Sequence, residues 1–306
     1  GERQFMMTNG VNISTLAQRF AADGTALVGD GHHFKGNVIQ PVQLILAHEA
    51  QGIAQGGGAG VAAAAAQTLM TMVGVERSVD FLHRLGIDDN HIDATPFGLS
   101  LGSSGITPLQ MTVAFGVLAN GGVYQEPISV LGISDSEGNV VWDGHAQQER
   151  RRVFSESTAY LVVDMLKDAV KSGTGTSAKI SGQTVAGKTG TNSDSKGVFF
   201  AGMTGWYCAS VWIGHDNYKA LSSKTTGGNS AAKLWKAFMQ PIHQGLANRD
   251  IMEGSASDYG LTKVTTCAVS GQLATDACRN DVMGYGTVTD YWPRDTVPTT
   301  SCQMHY

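Results

Sequence analysis

Apolar residues recur every three or four positions in several stretches of the chain, which is the spacing of an amphipathic helix. Residues 68–85 follow this pattern and stop at Gly86, so they are expected to form two helical pieces closed by a glycine C-cap. Thr107-Pro108-Leu109-Gln110 has the pattern of a capping box with proline at the first helical position. This signal predicts a helix that runs to Asn120.

Two further stretches show the same helical spacing. Residues 157–170 form an amphipathic pattern that ends before the turn Ser172-Gly173-Thr174-Gly175. Residues 230–239 repeat it, and Pro241 is expected to stop that helix because proline has no N–H to donate. The apolar side of this last helix is predicted to carry Leu234, Trp235 and Phe238.

Other segments are rich in β-branched and aromatic residues and are separated by Gly, Asn, Asp and Ser, which is typical of antiparallel strands. Residues 133–142 predict a hairpin whose turn is Asp135 to Asn139. Residues 183–191, 198–200 and 206–213 predict neighbouring strands of one sheet. Helices together with an antiparallel sheet indicate an α+β fold.

The run Lys188-Thr189-Gly190-Thr191 lies within this strand group and combines a cation, two hydroxyls and a residue without a side chain. Alternate residues of a strand share a face, so Lys188 and Gly190 are expected on one face and Thr189 and Thr191 on the other. Gly190 would let a ligand backbone approach closely. These features suit the binding of a peptide with a terminal carboxylate.

Composition excludes several classes of protein. A chain of 306 residues with 42% hydrophobic residues can bury a substantial core, and a net charge of -5 argues against nucleic acid as a partner. The basic run Arg150-Arg151-Arg152 is expected to be a solvated loop. No stretch has the roughly 18 apolar residues of a membrane span, so any membrane anchor is expected in a segment outside this chain.

The four cysteines are unevenly placed, with Cys208 in a predicted strand and the other three near the end. Cys208 is expected to be a buried apolar residue. The chain has no Cys-x-x-Cys pair, so neither a metal site nor a cofactor is predicted. If the protein is exported, a disulfide between Cys267 and Cys278 is the pairing to expect, and Cys302 is then left as a single thiol.

Local signals change along the chain and suggest three parts. Residues 1–64 have no sustained periodicity and end in a Gly/Ala-rich run, so they are expected to be an irregular start. Residues 65–254 hold the consistent helix and strand signals described above. Residues 255–306 are rich in Thr, Gly and Asp and are expected to be a separate, weakly structured tail.

An ordered set of motifs across roughly residues 65–300 resembles the C-terminal half of the transpeptidase domain of class A penicillin-binding proteins. The resemblance depends on the order of the motifs, because Lys-Thr-Gly alone is too short to be specific. The matching segments are Val73-Gly74-Val75, Leu85-Gly86-Ile87, Leu99 to Met111, Phe115 to Gly122, Ser172 to Gly175, Val185 to Thr191, Val211 to Asp216 and Gly271 to Cys278.

This resemblance implies an antiparallel sheet of about five strands flanked by helices, and an acyl-transfer site built from Ser-x-x-Lys, Ser-x-Asn and Lys-Thr-Gly. The serine would attack a D-Ala-D-Ala stem peptide of peptidoglycan outside the cytoplasm, in a parent protein anchored to the membrane. Lys188 would be the catalytic cation of the Lys-Thr-Gly motif. Thr189, Gly190 and Thr191 would bind substrate, and the backbone amide of Thr191 would form part of the oxyanion hole. Peptidoglycan stem peptides and β-lactams are the implied ligands.

Two of the three implied motifs are not found ahead of Lys188. Ser14-Thr15-Leu16-Ala17 has alanine where the lysine should stand. The literal matches Ser193-Asp194-Ser195-Lys196 and Ser230-Ala231-Ala232-Lys233 come after the third motif, and a polar turn and a capped helix explain them. Neither Val61-Ala62-Ala63 nor residues 47–51 supply a Ser-x-Asn.

Three explanations for the missing motifs remain open. The front of the chain is truncated or wrongly recorded; or the chain is a degenerate homologue that binds cell-wall peptides without turnover; or an unrecognised nucleophile exists, with Ser14 and Ser230 as candidates. The first two predict that the chain forms no acyl-enzyme, and the nucleophile is therefore left unassigned.

Overall fold

The computed structural model describes residues 67, 70–192 and 194–305. The irregular start at 1–64, including Ser14, lies outside the described residues. The α-helices are α1 Val75–Arg84, α2 Pro96–Leu101, α3 Pro108–Ala119, α4 Gly144–Gln147, α5 Glu156–Lys171, α6 Ala232–Ile242 and α7 Asp276–Arg279. The strands are β1 Val123–Gln125, β2 Gly132–Ser134, β3 Val140–Asp143, β4 Arg150–Arg152, β5 Ala186–Thr191, β6 Gly197–Met203, β7 Cys208–Gly214, β8 Leu261–Cys267 and β9 Thr287–Pro293.

The helix signals in the sequence correspond to real helix ends. After α1, Gly86 has a φ of 82° and its N–H bonds to the carbonyl of His83, as a glycine C-cap requires. At the start of α3, Thr107 and Gln110 cap each other reciprocally, and Pro108 takes the first helical position. The predicted helices at both places are therefore confirmed.

The prediction for α6 needs two corrections. The helix runs through Pro241 and ends at Ile242, so the proline lies within its last turn instead of stopping it. Trp235 is fully buried, whereas Leu234 is 51% exposed and Phe238 is 59% exposed. The expectation that these three residues share one side is wrong, because a step of one residue turns the helix by about 100°.

The sheet that carries the Lys188 run is antiparallel with the strand order β5-β6-β7. The described residues contribute three strands to this sheet, where the resemblance implied about five. Helices cover both faces. One core joins the sheet to α3 and α5 through Val117, Val163, Leu166, Ala186 and Met203. The second joins the opposite face to α6 through Val198, Phe200, Trp235 and Met239. The α+β class is confirmed.

Two predictions of irregular structure are wrong. The arginine run forms β4, which pairs with β1, and the Arg151 guanidinium lies 3.9 Å from the centre of the Tyr124 ring. The end of the chain is also ordered, since β8 and β9 pair along their whole length from Leu261 to Cys267. Within the part of the chain that the structure describes, no helix is long and apolar enough to cross a membrane.

Candidate functional site

The Lys188–Thr191 run forms most of β5, one of the two outer strands of the sheet in the described part of the chain. The β5–β6 register sets Lys188 opposite Ala201 and Thr189 opposite Phe200. Because paired residues share a face, Lys188 lies on the face that packs against α3 and α5, as Ala186 does. The threonines lie on the α6 face, together with Phe200.

Lys188 is half-buried, and its Nζ donates a hydrogen bond to the carbonyl oxygen of Thr189 at 3.1 Å. The ammonium is therefore held against its own strand, on the face of the sheet that packs against α3 and α5. A cation in this position raises the positive potential beside β5 and favours an anionic ligand.

Thr189 is only 5% exposed, and its hydroxyl oxygen lies 2.7 Å from that of Thr174. The turn at 172–175 is thereby fixed against β5, which places this motif of the sequence beside the Lys188 run. The contact also occupies the Thr189 hydroxyl, so a carboxylate would reach it only after displacing or sharing the Thr174 partner.

Gly190 and Thr191 meet a second segment, the π-helical turn Gly227–Ala231. The N–H of Gly227 donates to the Thr191 hydroxyl at 3.0 Å, which fixes the side chain of that threonine. A β-carbon on Gly227 would lie 2.5 Å from the carbonyl oxygen of Gly190. Only a glycine fits this close to the strand, so the turn and β5 form one packed unit.

Of the two literal Ser-x-x-Lys matches, the structure describes both the serine and the lysine only for the second. Ser193 lies outside the described residues, and Lys196 forms an ion pair with Asp194 at 2.9 Å. The hydrogen bond and charge of Asp194 raise the pKa of Lys196, which is the wrong direction for a base. Ser230 donates to the carbonyl of Thr226 at 2.5 Å, so its hydroxyl serves the local turn.

Cys208 is not an activated nucleophile. Its thiol donates to the backbone carbonyl of Thr112 in α3 at 3.3 Å. Burial raises the pKa of the Cys208 thiol to about 12, so the thiolate is nearly absent at neutral pH. Cys208 was expected to be a buried apolar residue; it is partly buried and packs against the core around α3 and α5.

The sequence-based reasoning missed one group of functional side chains near the end of the chain. Cys267, Cys278, Cys302 and His305 converge in the structure, and all four cysteines of the chain are free thiols. The missed signal was the spacing Cys302-x-x-His305, since only Cys-x-x-Cys pairs were considered.

Two protein-family models match this chain. Residues 69–240, more than half of the chain, match the penicillin binding protein transpeptidase domain. Residues 259–306 match the C-terminal domain of penicillin-binding protein 1A. Residues 241–258 lie between the two matches.

Individual proteins show the same similarity. Penicillin-binding protein 1A of Clostridium perfringens is 32% identical over 241 residues, which are 76% of this chain and 28% of that protein. The protein of that name from Aquifex aeolicus is 32% identical over 187 residues, covering 61% of this chain and 25% of its own length. The chain thus spans only about a quarter of these relatives.

Solved structures share the fold. A crystal structure of penicillin-binding protein 1A from Haemophilus influenzae superposes with a TM-score of 0.64 at 22% identity, covering 78% of this chain and 39% of the other. PonA1 from Mycobacterium tuberculosis, in complex with penicillin V, superposes with a TM-score of 0.57 at 18% identity, covering 82% and 73%.

Proposed function

This chain belongs to the penicillin-binding protein transpeptidase family, and from that premise we propose that β5 is the peptide-binding wall of a D,D-transpeptidase site. The ligand is the carboxylate-terminated stem peptide of peptidoglycan, and cross-linking by acyl transfer is the reaction of the lineage. In this chain the acylating step is impaired. The site operates outside the cytoplasm, in a parent protein attached to the membrane.

The observation that carries the proposal is the arrangement of four consecutive residues on β5. Lys188 supplies a cation on one face, and Thr191 presents a hydroxyl and a backbone amide at the end of the strand. Gly190 has no side chain to hold off a ligand backbone that pairs along the strand edge as an added strand. Thr189 stabilises this wall through the contact between its hydroxyl and that of Thr174. The same Thr189 hydroxyl binds a ligand when Thr174 and the ligand share it.

The chemistry needs groups that this chain does not supply in the right order. A serine becomes a nucleophile only when a neighbouring base accepts its proton, and no Ser-x-x-Lys precedes Lys188 in the sequence. Lys196 is held protonated by Asp194, and Ser230 is bonded within its own turn. Binding at β5 therefore survives without acylation.

A fluorescent penicillin and a stem peptide ending in D-Ala-D-Ala test these two claims separately. We expect no covalent adduct of the penicillin by gel and intact mass, but reversible peptide binding by calorimetry. Thr191→Val should weaken binding at least about tenfold, since a hydrogen bond to a charged group contributes roughly 1.5–3 kcal/mol. Thr262→Val, in strand β8 of a different sheet, is the matched control and should leave the affinity unchanged.

The penicillin assay tests acylation, and the peptide assay tests binding at β5. A hydrolysis-resistant penicillin adduct would contradict the impaired acylation and would locate the nucleophile by peptide mapping. Equal peptide affinity of the parent and Thr191→Val would contradict the binding wall, whether or not an adduct forms.

A non-catalytic cell-wall peptide-binding module is the second candidate. The absence of both Ser-x-x-Lys and Ser-x-Asn ahead of Lys188 favours it. The DNA upstream of residue 65 discriminates between the two: both motifs in any reading frame would indicate an incomplete transpeptidase. An intact frame with neither motif would indicate the binding module.

A further inference from the structure

We propose that Cys267, Cys278, Cys302 and His305 form a structural zinc site in the C-terminal part of the chain. This site is separate from β5, and its test does not depend on peptide binding. It replaces the sequence-based prediction that the chain has no metal site, which considered only one ligand spacing.

The positions of the four ligand atoms fit a tetrahedral ion. The three sulfurs and one imidazole nitrogen all lie within 4.8 Å of one another. Nδ1 of His305 is 3.5 Å from Sγ of Cys267 and 3.4 Å from Sγ of Cys302. Zinc with Zn–S bonds of about 2.3 Å and Zn–N bonds of about 2.0–2.1 Å would separate nitrogen from sulfur by roughly 3.6 Å.

The ligands come from three segments that the fold holds together. Cys267 is the last residue of β8, and Cys278 lies in α7. The final segment is tied to the same region, because the N–H of Cys302 donates to the carbonyl of Leu273 at 2.8 Å. Cys302 and His305 are three residues apart, a spacing that lets one short turn supply two ligands.

Backbone amides surround the sulfurs as they would surround thiolates. Each of the three sulfurs accepts at least one N–H at 3.4 Å, and such donors stabilise negative charge on sulfur. The donors are Val269 and Ser270 for Cys267, Thr275 for Cys278, and Met304 for Cys302. All three cysteines are buried, as expected for a closed structural site.

His305 has the orientation that metal-binding histidines adopt. Its Nδ1 faces the sulfurs, and its Nε2 lies on the side of Asp281, 3.6 Å from Oδ2, which is longer than a direct hydrogen bond. The Asp281 side chain is only 4% exposed and accepts the N–H groups of Met283 and Tyr285 at 3.1 and 3.0 Å. Metal-binding histidines commonly turn their second ring nitrogen toward a carboxylate, as His305 does toward Asp281.

A disulfide explains less of this arrangement. Joining Cys267 to Cys278 would use two sulfurs and leave Cys302 as a buried thiol beside His305. It would also give no role to the carboxylate behind the imidazole. Zinc engages all four groups, and three thiolates with one imidazole are a ligand set typical of structural zinc.

The test uses the full chain, purified without chelator or reductant and analysed by metal mass spectrometry. We expect about one zinc per chain, with all four thiols reacting after unfolding in chelator. Cys278→Ser and His305→Ala should lose most of the bound zinc, because each removes one ligand. Cys208→Ser is the matched control, since Cys208 lies outside the cluster, and it should keep a full equivalent.

The variant His305→Cys distinguishes the loss of a zinc ligand from a failure to fold. It restores four ligands, so it should retain zinc, and its cobalt-substituted form should show stronger thiolate charge-transfer absorption than the parent. A chain that binds no zinc after addition of an equimolar amount, and whose mass is lower by two hydrogens, would overturn the proposal in favour of a disulfide. Equal zinc in the parent, Cys278→Ser and His305→Ala would overturn it as well.

Discussion

Replacing Gly227 with alanine should destabilise the protein, because the new methyl group has no space. An added β-carbon would lie 2.5 Å from the carbonyl oxygen of Gly190 and 2.6 Å from that of Phe199. Both oxygens belong to the backbone of the β5–β6 pair, so neither can rotate away. The turn must therefore move off the sheet and lose the Gly227 N–H bond to Thr191.

The expected loss combines two effects. Inserting a carbon into a well-packed site typically costs about 1–3 kcal/mol. The broken hydrogen bond adds about 1 kcal/mol, so the free energy of unfolding should fall by roughly 2–4 kcal/mol. For a domain of this size the midpoint of thermal unfolding should drop by roughly 5–15 °C. Urea titration followed by tryptophan fluorescence measures the same loss.

Gly116→Ala is the matched control, because an added β-carbon there meets no atom within 4 Å. Gly116 lies inside α3, where alanine is favoured over glycine by about 1 kcal/mol, so this variant should be more stable than the parent. The two substitutions are chemically identical and should act in opposite directions. If Gly227→Ala unfolds at the urea concentration of the parent, the close approach to β5 is not a constraint.

Two other predictions concern the core around the sheet. Burial raises the pKa of the Cys208 thiol from 9.0 to about 12. Its contribution to the free energy of unfolding is therefore fully present below pH ~9 and falls by about 1.4 kcal/mol per pH unit up to pH ~12. Alkylation of Cys208 at pH 8, followed by peptide mapping, should be about a thousandfold slower in the folded chain than in urea, and equal rates would refute the burial. Trp235→Ala should cost about 3–5 kcal/mol in urea titration because the ring is fully buried. Its half-exposed neighbour Leu234→Ala should change stability by no more than about 0.5 kcal/mol, and similar losses for the two would contradict the orientation of α6.

Features with a local physical cause could be predicted from the sequence. The start of α3 follows from a capping box, in which Thr107 and Gln110 satisfy each other's backbone within four residues. The β2–β3 hairpin follows from the turn residues between Ile133 and Trp142, which pair as expected. Lys188 and Thr189 were likewise assigned to opposite faces by strand alternation alone, and the register agrees.

Features that depend on distant partners could not be predicted. The β8–β9 pair was missed because Thr, Gly and Asp suggest loops, although threonine also favours strands and Thr265 bonds to Thr289 across this pair at 2.7 Å. The Thr174–Thr189 contact joins residues from two elements, and only the packing of the turn against β5 creates it. The cysteine cluster joins residues far apart in the chain, and the spacing Cys302-x-x-His305 was the one local pattern that indicated it.

The two ends of the β8–β9 pair are packed into different clusters of buried residues. The Leu261 end packs against Leu161 and Met165 of α5, whereas the Cys267 end lies among the clustered cysteines. With seven residues, the strand spans roughly 23 Å between these anchors. We therefore expect backbone amides near Cys267 and those of α5 to exchange with solvent through local openings of different free energy.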